Sequence, residues 1–365
     1  MSAPPPRPRP GILEITPYVG GRSEVEGAAR AIKLSSNESP LGPSPRAMAA
    51  YAAEAERLHR YPDGHAGALR RALGDRFGLA PDRIVCGAGS DELIALLIRA
   101  YAGPGDEVLY SAHGFLMYKL SALAAGAHPV AAPERELRAD VDALLARVTS
   151  RTRLVFIASP NNPTGSYLPA DELERLHRGL PDGVILAVDS AYAEYVRRND
   201  YDDGSTLASR TGNVVMLRTF SKLFGLAALR LGWMYGPPAI VDVINRVRGP
   251  FNVGTPAQVA GIAALRDEAH QEAARLHNER WLPWLARELA ALGLTVHPSA
   301  GNFLLVSFAR EAGRDADAAT AFLAARGIIP RQMGAYGLPE SLRVTVGLED
   351  ENRAVVGALR EFVAR

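Results

Sequence analysis

The 365-residue chain lacks several things, and each lack excludes a class of protein. It has one cysteine, Cys86, so it can form neither an internal disulfide nor a cysteine-based metal cage. No uncharged apolar run approaches 18 residues, so no transmembrane helix is expected. Neither charge is in excess: 41 Lys and Arg stand against 40 Asp and Glu, a formal +1. That balance gives no electrostatic footprint for nucleic acid or for an anionic membrane, and neither is expected as a partner. The early arginines have no apolar stretch behind them, so a secretory signal is not expected and the cytoplasm is the expected compartment. His59 and His65, and likewise His270 and His277, lack the i,i+4 spacing of a helical metal site, and no metal is expected. What remains is ordinary for a globular protein, 47% apolar and 22% charged, which excludes collagen, coiled coil and wholesale disorder.

Lysine is also scarce. Of the 41 basic residues 38 are Arg, and only Lys33, Lys119 and Lys222 are Lys. Arginine stays protonated in proteins, whereas lysine can lose its proton and act as a nucleophile, so amine chemistry has few candidates. Compositional drift explains the scarcity equally well, so the neighbours must decide which lysine matters. Lys119 lies in a helical pattern, Phe115–Ala124, and reads as a surface or packing residue. Lys33 lies in an arm segment and reads as structural.

Along the chain, residues 1–10 are Pro-rich and predict an extended arm. The arm is taken as residues 1–46, contributing to a smaller domain and to dimer contacts. From 47 to 265, helical patterns alternate with short aliphatic runs: Arg83–Cys86, Glu107–Tyr110, Leu154–Ala158, Val184–Val188, Val214–Leu217 and Gly232–Tyr235. Near-continuous apolar strands separated by helices predict an α/β fold, a large domain with a mainly parallel sheet covered on both faces. From 266 to 365 that regularity is lost. A long charged helix over Asp267–Ala291, with a kink expected at Pro283, precedes strands near Leu294–His297, Asn302–Ser307 and Ser341–Val346. Further helices are expected near Ala316–Arg326 and Asp350–Val363. This reads as a smaller α+β domain.

Four local constellations carry chemistry. Lys222 follows a strand, a Thr/Ser pair and Phe220, and precedes Gly225 and Arg230. Strand ends are where open α/β sheets place ligands, an amine with a lowered pKa can form a Schiff base, and Ser221 with Arg230 could hold a phosphate. Asp189 ends an apolar strand and could pair with a protonated ring nitrogen, with Tyr192 three residues on as a donor to a phenolate oxygen. The segment Ser159-Pro-Asn-Asn-Pro-Thr-Gly165 predicts a tight loop whose Asn amide could fix a ring oxygen. Cys86-Gly-Ala-Gly-Ser-Asp-Glu92 leads from strand to helix, where free N–H groups bind phosphate and Ser90 and Asp91 are good caps. Each piece alone is common in α/β proteins.

In this order, however, they resemble the fold-type I aminotransferases that use pyridoxal 5′-phosphate, and within them the histidinol-phosphate aminotransferases. The likeness covers nearly the whole chain. It includes Lys33-Leu-Ser-Ser-Asn-Glu-Ser-Pro40, Tyr61-Pro-Asp, Gly89-Ser-Asp-Glu, Asn162-Pro-Thr-Gly, Asp189-Ser-Ala-Tyr, Ser221-Lys, Arg230 and Leu342-Arg-Val-Thr-Val-Gly. The resemblance implies that Lys222 forms the aldimine and that Asp189 pairs with the pyridinium nitrogen. It implies that Asn162 and Tyr192 bind the ring oxygen, and that Phe115, where many relatives have Tyr, stacks on the ring. Ser90, Ser221 and Arg230 would bind the cofactor phosphate, helped by N–H groups around Gly89 and Asp91. Tyr61 would reach that phosphate from the other subunit of a homodimer. Arg343 would bind the substrate's anionic end, and Tyr18 and Arg331 would help with the phosphate of histidinol phosphate. Apart from the resemblance, Asn302, just before the core residue Phe303, is a candidate to face the substrate pocket. Ala228 stands where relatives often have Gly.

The implied reaction is ping-pong transfer from L-histidinol phosphate to 2-oxoglutarate, giving imidazole acetol phosphate and L-glutamate in histidine biosynthesis. An aromatic L-amino acid aminotransferase and a pyridoxal-phosphate-dependent phospho-amino-acid decarboxylase are the alternatives. A cofactor-sensing transcription regulator would need a helix-turn-helix module, and the about 45 residues before the large domain show no pair of helical patterns.

Overall fold

In a computed structural model of the chain, the described residues are 7–18, 20–21 and 31–365. Its central sheet has seven strands: β1 (Ile84–Gly87), β2 (Glu107–Ser111), β3 (His128–Ala132), β4 (Thr152–Ala158), β5 (Ile185–Asp189), β6 (Val214–Thr219) and β7 (Gly232–Tyr235). All but β3 grow from the aliphatic runs named above. The spatial order is β1-β7-β6-β5-β4-β2-β3. Strand β7 runs antiparallel to both neighbours, and the other pairs are parallel.

The central strands are apolar throughout because both faces are covered. Along β4, Val155 and Ile157 enter one apolar layer with Leu69, Val188, Met216 and Trp233, while Leu154 and Phe156 enter the other with Leu93, Leu97, Tyr118 and Leu217. The sequence patterns miss β3 because it carries Pro129. It pairs only with β2, at the sheet edge, where a missing N–H costs no ladder bond.

The C-terminal part builds a second, antiparallel sheet from β8 (Thr295–His297), β9 (Phe303–Ser307), β10 (Arg331–Gln332) and β11 (Ser341–Thr345), in the order β8-β9-β11-β10. Pro330 immediately precedes the edge strand β10, a position that tolerates proline. Leu285, Leu304, Val306, Leu323, Val344 and Leu359 form its core. Leu285 lies on the helix Glu268–Ala291, which carries Pro283 in its interior and continues through it. The arm is tied to this layer. Ile32–Lys33 pairs in parallel with Ile328–Ile329, and Leu34 is buried in the same core. Among the described residues no helix is long and apolar enough to cross a membrane.

Candidate active site

Strands β4, β5 and β6 all end on one side of the sheet, so the segments after Ala158, Asp189 and Thr219 converge there. With the N-terminus of the helix Ser90–Tyr101 and the arm segment at 35–38, they surround a cavity of about 240 Å³. Of the residues singled out from the sequence, Tyr18, Ser90, Asp91, Phe115, Asn162, Asp189, Tyr192, Ser221, Lys222, Arg230, Arg331 and Arg343 line it.

Lys222 lies at the centre. Its Nζ donates to the Ser36 carbonyl at 3.1 Å and lies 5.6 Å from the centroid of the Tyr192 ring. Burial, reinforced by the Arg343 guanidinium, pushes its pKa down to about 8, so much of it is a free amine at mildly alkaline pH. Asp189 is buried. Its Oδ2 accepts from the Tyr118 hydroxyl at 2.7 Å, while Oδ1 has no hydrogen-bond partner. Burial pushes this carboxyl up to about 6. A neighbouring cation would reverse that shift, so the site favours a positively charged group beside Asp189. The Tyr192 hydroxyl accepts from Asn37 Nδ2 at 2.8 Å.

One end of the cavity is built for an anion. The helix Ser90–Tyr101 begins without a side-chain cap, which leaves backbone donors facing outward. Arg230 Nη1 reaches Ser221 Oγ at 3.4 Å, and Nη2 reaches Asp91 Oδ2 at 3.0 Å. Ser221 Oγ accepts from Thr219 Oγ1 at 3.0 Å. Gly89 does not line the cavity, but a Cβ there would strike the Arg230 guanidinium. Antiparallel β7 brings Gly232 against the Ser90 amide, where a Cβ has no room either.

The other end carries two guanidinium groups. Arg331 and Arg343 are direct cross-strand partners on β10 and β11. Arg331 lies over the Tyr18 ring, 5.5 Å from its centroid. Arg343 is buried. It donates to Asn162 Oδ1 and, at 2.6 Å, to the Ser35 carbonyl, and its Nε is unpartnered. Between the two ends, Phe115 flanks the cavity edge-on to Tyr118, with ring centroids 6.0 Å apart.

Besides Gly89, two sequence candidates are not brought to the cavity wall. Asn302 is buried, and its amide donates to the carbonyls of Asn37 and Glu38 at 3.1 and 3.3 Å. It therefore supports the arm segment instead of facing the cavity. Tyr61 is 82% exposed and stacks on Phe251, with centroids 4.6 Å apart, away from this chain's own cavity. Sequence reasoning gave no individual role to Asn37, Tyr118, Ala191 or Thr219. Asn37 has a left-handed backbone, φ 56°, which suits Asn, and it joins Tyr192 to Thr345 of β11. Its place inside the Ser-Ser-Asn-Glu motif was the available signal. Ala191 carries no polar signal at all.

The family model for class I and II aminotransferases matches residues 29–359. The chain belongs to the class I and II aminotransferases. This aminotransferase is 60% identical over 358 residues to the histidinol-phosphate aminotransferase of Paramagnetospirillum magneticum, spanning 98% of this chain and 99% of that one. It is 59% identical to that of Rhodospirillum centenum over the same shares. It superposes with a TM-score of 0.88 on the crystal structure of the histidinol-phosphate aminotransferase from Sinorhizobium meliloti in complex with pyridoxal 5′-phosphate, which is 29% identical and matched over 98% of both chains. The seven-stranded sheet with its smaller α+β part is thus the fold-type I aminotransferase arrangement.

Proposed function

We propose that this aminotransferase uses pyridoxal 5′-phosphate to transfer the amino group of L-histidinol phosphate to 2-oxoglutarate, a step of histidine biosynthesis carried out in the cytoplasm. The observation that carries this reading is one cavity with an anion cradle at each end and a low-pKa lysine between them. The residues fit the cofactor. Ser90, Ser221, Arg230 and the helix N-terminus suit its phosphate, Phe115 gives its ring an apolar flank, and the unpartnered Asp189 Oδ1 awaits a basic ring nitrogen.

The bound cofactor supplies an electron sink for charge developing at the substrate Cα. The protein does the rest. Lys222 Nζ is the attachment point and, when freed, the base that takes the Cα proton and later returns one. In the cofactor-free chain its pKa is lowered to about 8, nearer neutrality than an ordinary lysine's, which suits a proton-transfer group. Asp189 holds the ring nitrogen cationic, and Asn162 and Tyr192 hold the ring oxygen. Arg343, Arg331 and Tyr18 receive the anionic end of either substrate, because a planar guanidinium suits both phosphate and carboxylate. Tyr61, exposed here, would complete the phosphate site of a second copy, which makes the homodimer the active unit.

The test is a single-turnover experiment. Cofactor-loaded protein is mixed separately with L-histidinol phosphate and L-phenylalanine, and the cofactor absorbance and the 2-oxo product are followed. Rapid conversion with histidinol phosphate alone supports the reading. Reaction with phenylalanine alone overturns the roles of Tyr18 and Arg331, and release of carbon dioxide overturns transamination. Multiple turnovers by Lys222→Ala would defeat the lysine assignment.

A further inference from the structure

The Tyr118 hydroxyl is the side-chain hydrogen-bond donor on the Asp189 carboxylate, 2.7 Å from Oδ2, aided by the backbone N–H of Ala191, and both side chains are buried. The Tyr118 ring cannot swing away. It stacks on Phe156 with centroids 4.7 Å apart and planes 17° apart, and it tilts against Tyr110 at 6.2 Å. Phe156 lies on β4, which pairs directly with β5, the strand that ends in Asp189. The same ring meets Phe115 edge-on, with planes at 89°. One side chain thus touches both the acid at the floor of the cavity and the aromatic on its flank.

The charges around Asp189 do not hold it ionised by themselves. Burial opposes the anion most strongly, and Asp91 opposes it further. The hydrogen bond from Tyr118 is the largest favourable influence, ahead of the Ala191 backbone N–H and of Lys222. Tyr118 faces Asp189, Asp91 and Tyr336, and burial together with all three drives its own pKa upward, so it remains a donor throughout the working range.

We propose that Tyr118 is a positioning residue: its hydroxyl holds Asp189 as an anion with Oδ1 left for the cofactor's ring nitrogen, and its ring sets Phe115 beside the cofactor's face. This rests on the cofactor reading above. The experiment measures the dissociation constant of pyridoxal 5′-phosphate for wild type, Tyr118→Phe, Tyr118→Leu, Asp189→Asn and the Phe/Asn double variant from pH 6.5 to 9. Ratios to wild type cancel the titration of the cofactor itself. Removing the donor raises the Asp189 pKa further. Tyr118→Phe should therefore weaken binding about tenfold near pH 6.5, the worth of one charge-assisted hydrogen bond. The ratio should fall to about twofold at pH 9, where the carboxylate is ionised in both proteins. In the Asp189→Asn background the Phe substitution should change little, because the two groups act as a unit. Tyr118→Leu should bind more weakly than Tyr118→Phe, since Phe115 also loses its neighbour. A pH-independent ratio, or additive effects of Phe and Asn, overturns the hydroxyl's role. Equal affinity of the Leu and Phe variants overturns the ring's role. Failure of wild type to bind the cofactor saturably would instead defeat the cofactor reading.

Discussion

Replacing Lys222 with methionine in the cofactor-free protein is expected to stabilise the fold at neutral pH. In the folded chain the amine titrates near 8 instead of its ordinary 10.5. Between these values the folded state binds fewer protons than the unfolded state, so stability rises with pH across that window. Below about pH 8 both states are protonated and the full penalty of an ammonium among Arg343 and apolar neighbours is present. Above about pH 10.5 both are neutral and it is gone. The drop from 10.5 to about 8 corresponds to about 3 kcal/mol. Two effects reduce it. The amine faces the cavity and keeps some access to solvent, and methionine forfeits the hydrogen bond to the Ser36 carbonyl, worth about 1 kcal/mol. The net expectation for Lys222→Met is a gain of about 1–2 kcal/mol at pH 7 and none at pH 10.5. Urea unfolding of the cofactor-free proteins at both pH values, followed by tryptophan fluorescence, measures it. A variant less stable than wild type at pH 7, or an equal gain at both pH values, would refute the reasoning. The penalty is what a reactive amine at a functional site costs the fold.

Arg343→Lys is expected to lower kcat/KM for both L-glutamate and L-histidinol phosphate about a hundredfold, mostly through KM. One ammonium cannot replace a guanidinium that spans Asn162 and the Ser35 carbonyl, and steady-state kinetics on both half-reactions would show it. Gly225→Ala should destabilise the protein by about 2 kcal/mol or more and loosen the cofactor site. Its backbone is left-handed, φ 67°, a Cβ would strike the Gly42 carbonyl, and its N–H closes the turn on the Lys222 carbonyl. Urea midpoints and retained cofactor measure both effects. Tyr61→Ala and Lys222→Ala should each be inactive. Mixed and reassembled in equal amounts, they should recover about a quarter of wild-type activity, because half the dimers then carry one intact site. No recovery from a mixture shown to exchange subunits would remove Tyr61 from the shared site.

The central strands were legible because burial on both faces makes them continuous aliphatic runs, as at Val214–Leu217. β3 was not, because Pro129 is allowed there only by an edge position that no local pattern reveals. Lys222, Asp189, Asn162 and Ser90 were legible as cavity residues because each ends a strand, lies within four residues of a strand's end or opens a helix. Tyr118 was read past because Phe115–Ala124 looks like any helix, and only the stacking of that helix beside β4 and β5 turns its hydroxyl toward Asp189. Asn302 was misplaced for the converse reason. A polar residue at the start of a strand resembles a cavity residue until its bonds to the arm are seen.

The amino-acid sequence by itself determined the inventory: one serine-preceded lysine among three, a strand-end aspartate, a Pro/Asn loop, a capped-looking glycine turn and the arginines that could meet anions. These are local features, fixed by residues a few positions apart. The tertiary structure alone decided what they do to one another. It set Arg230 beside Asp91, 139 residues away, paired Arg331 with Arg343 across two strands, and turned β7 antiparallel so that Gly232 meets Ser90. It lowered the pKa of Lys222 and raised that of Asp189. Desolvation and charge act through space, and the groups that remove water from a side chain or face it with a charge come from distant parts of the chain.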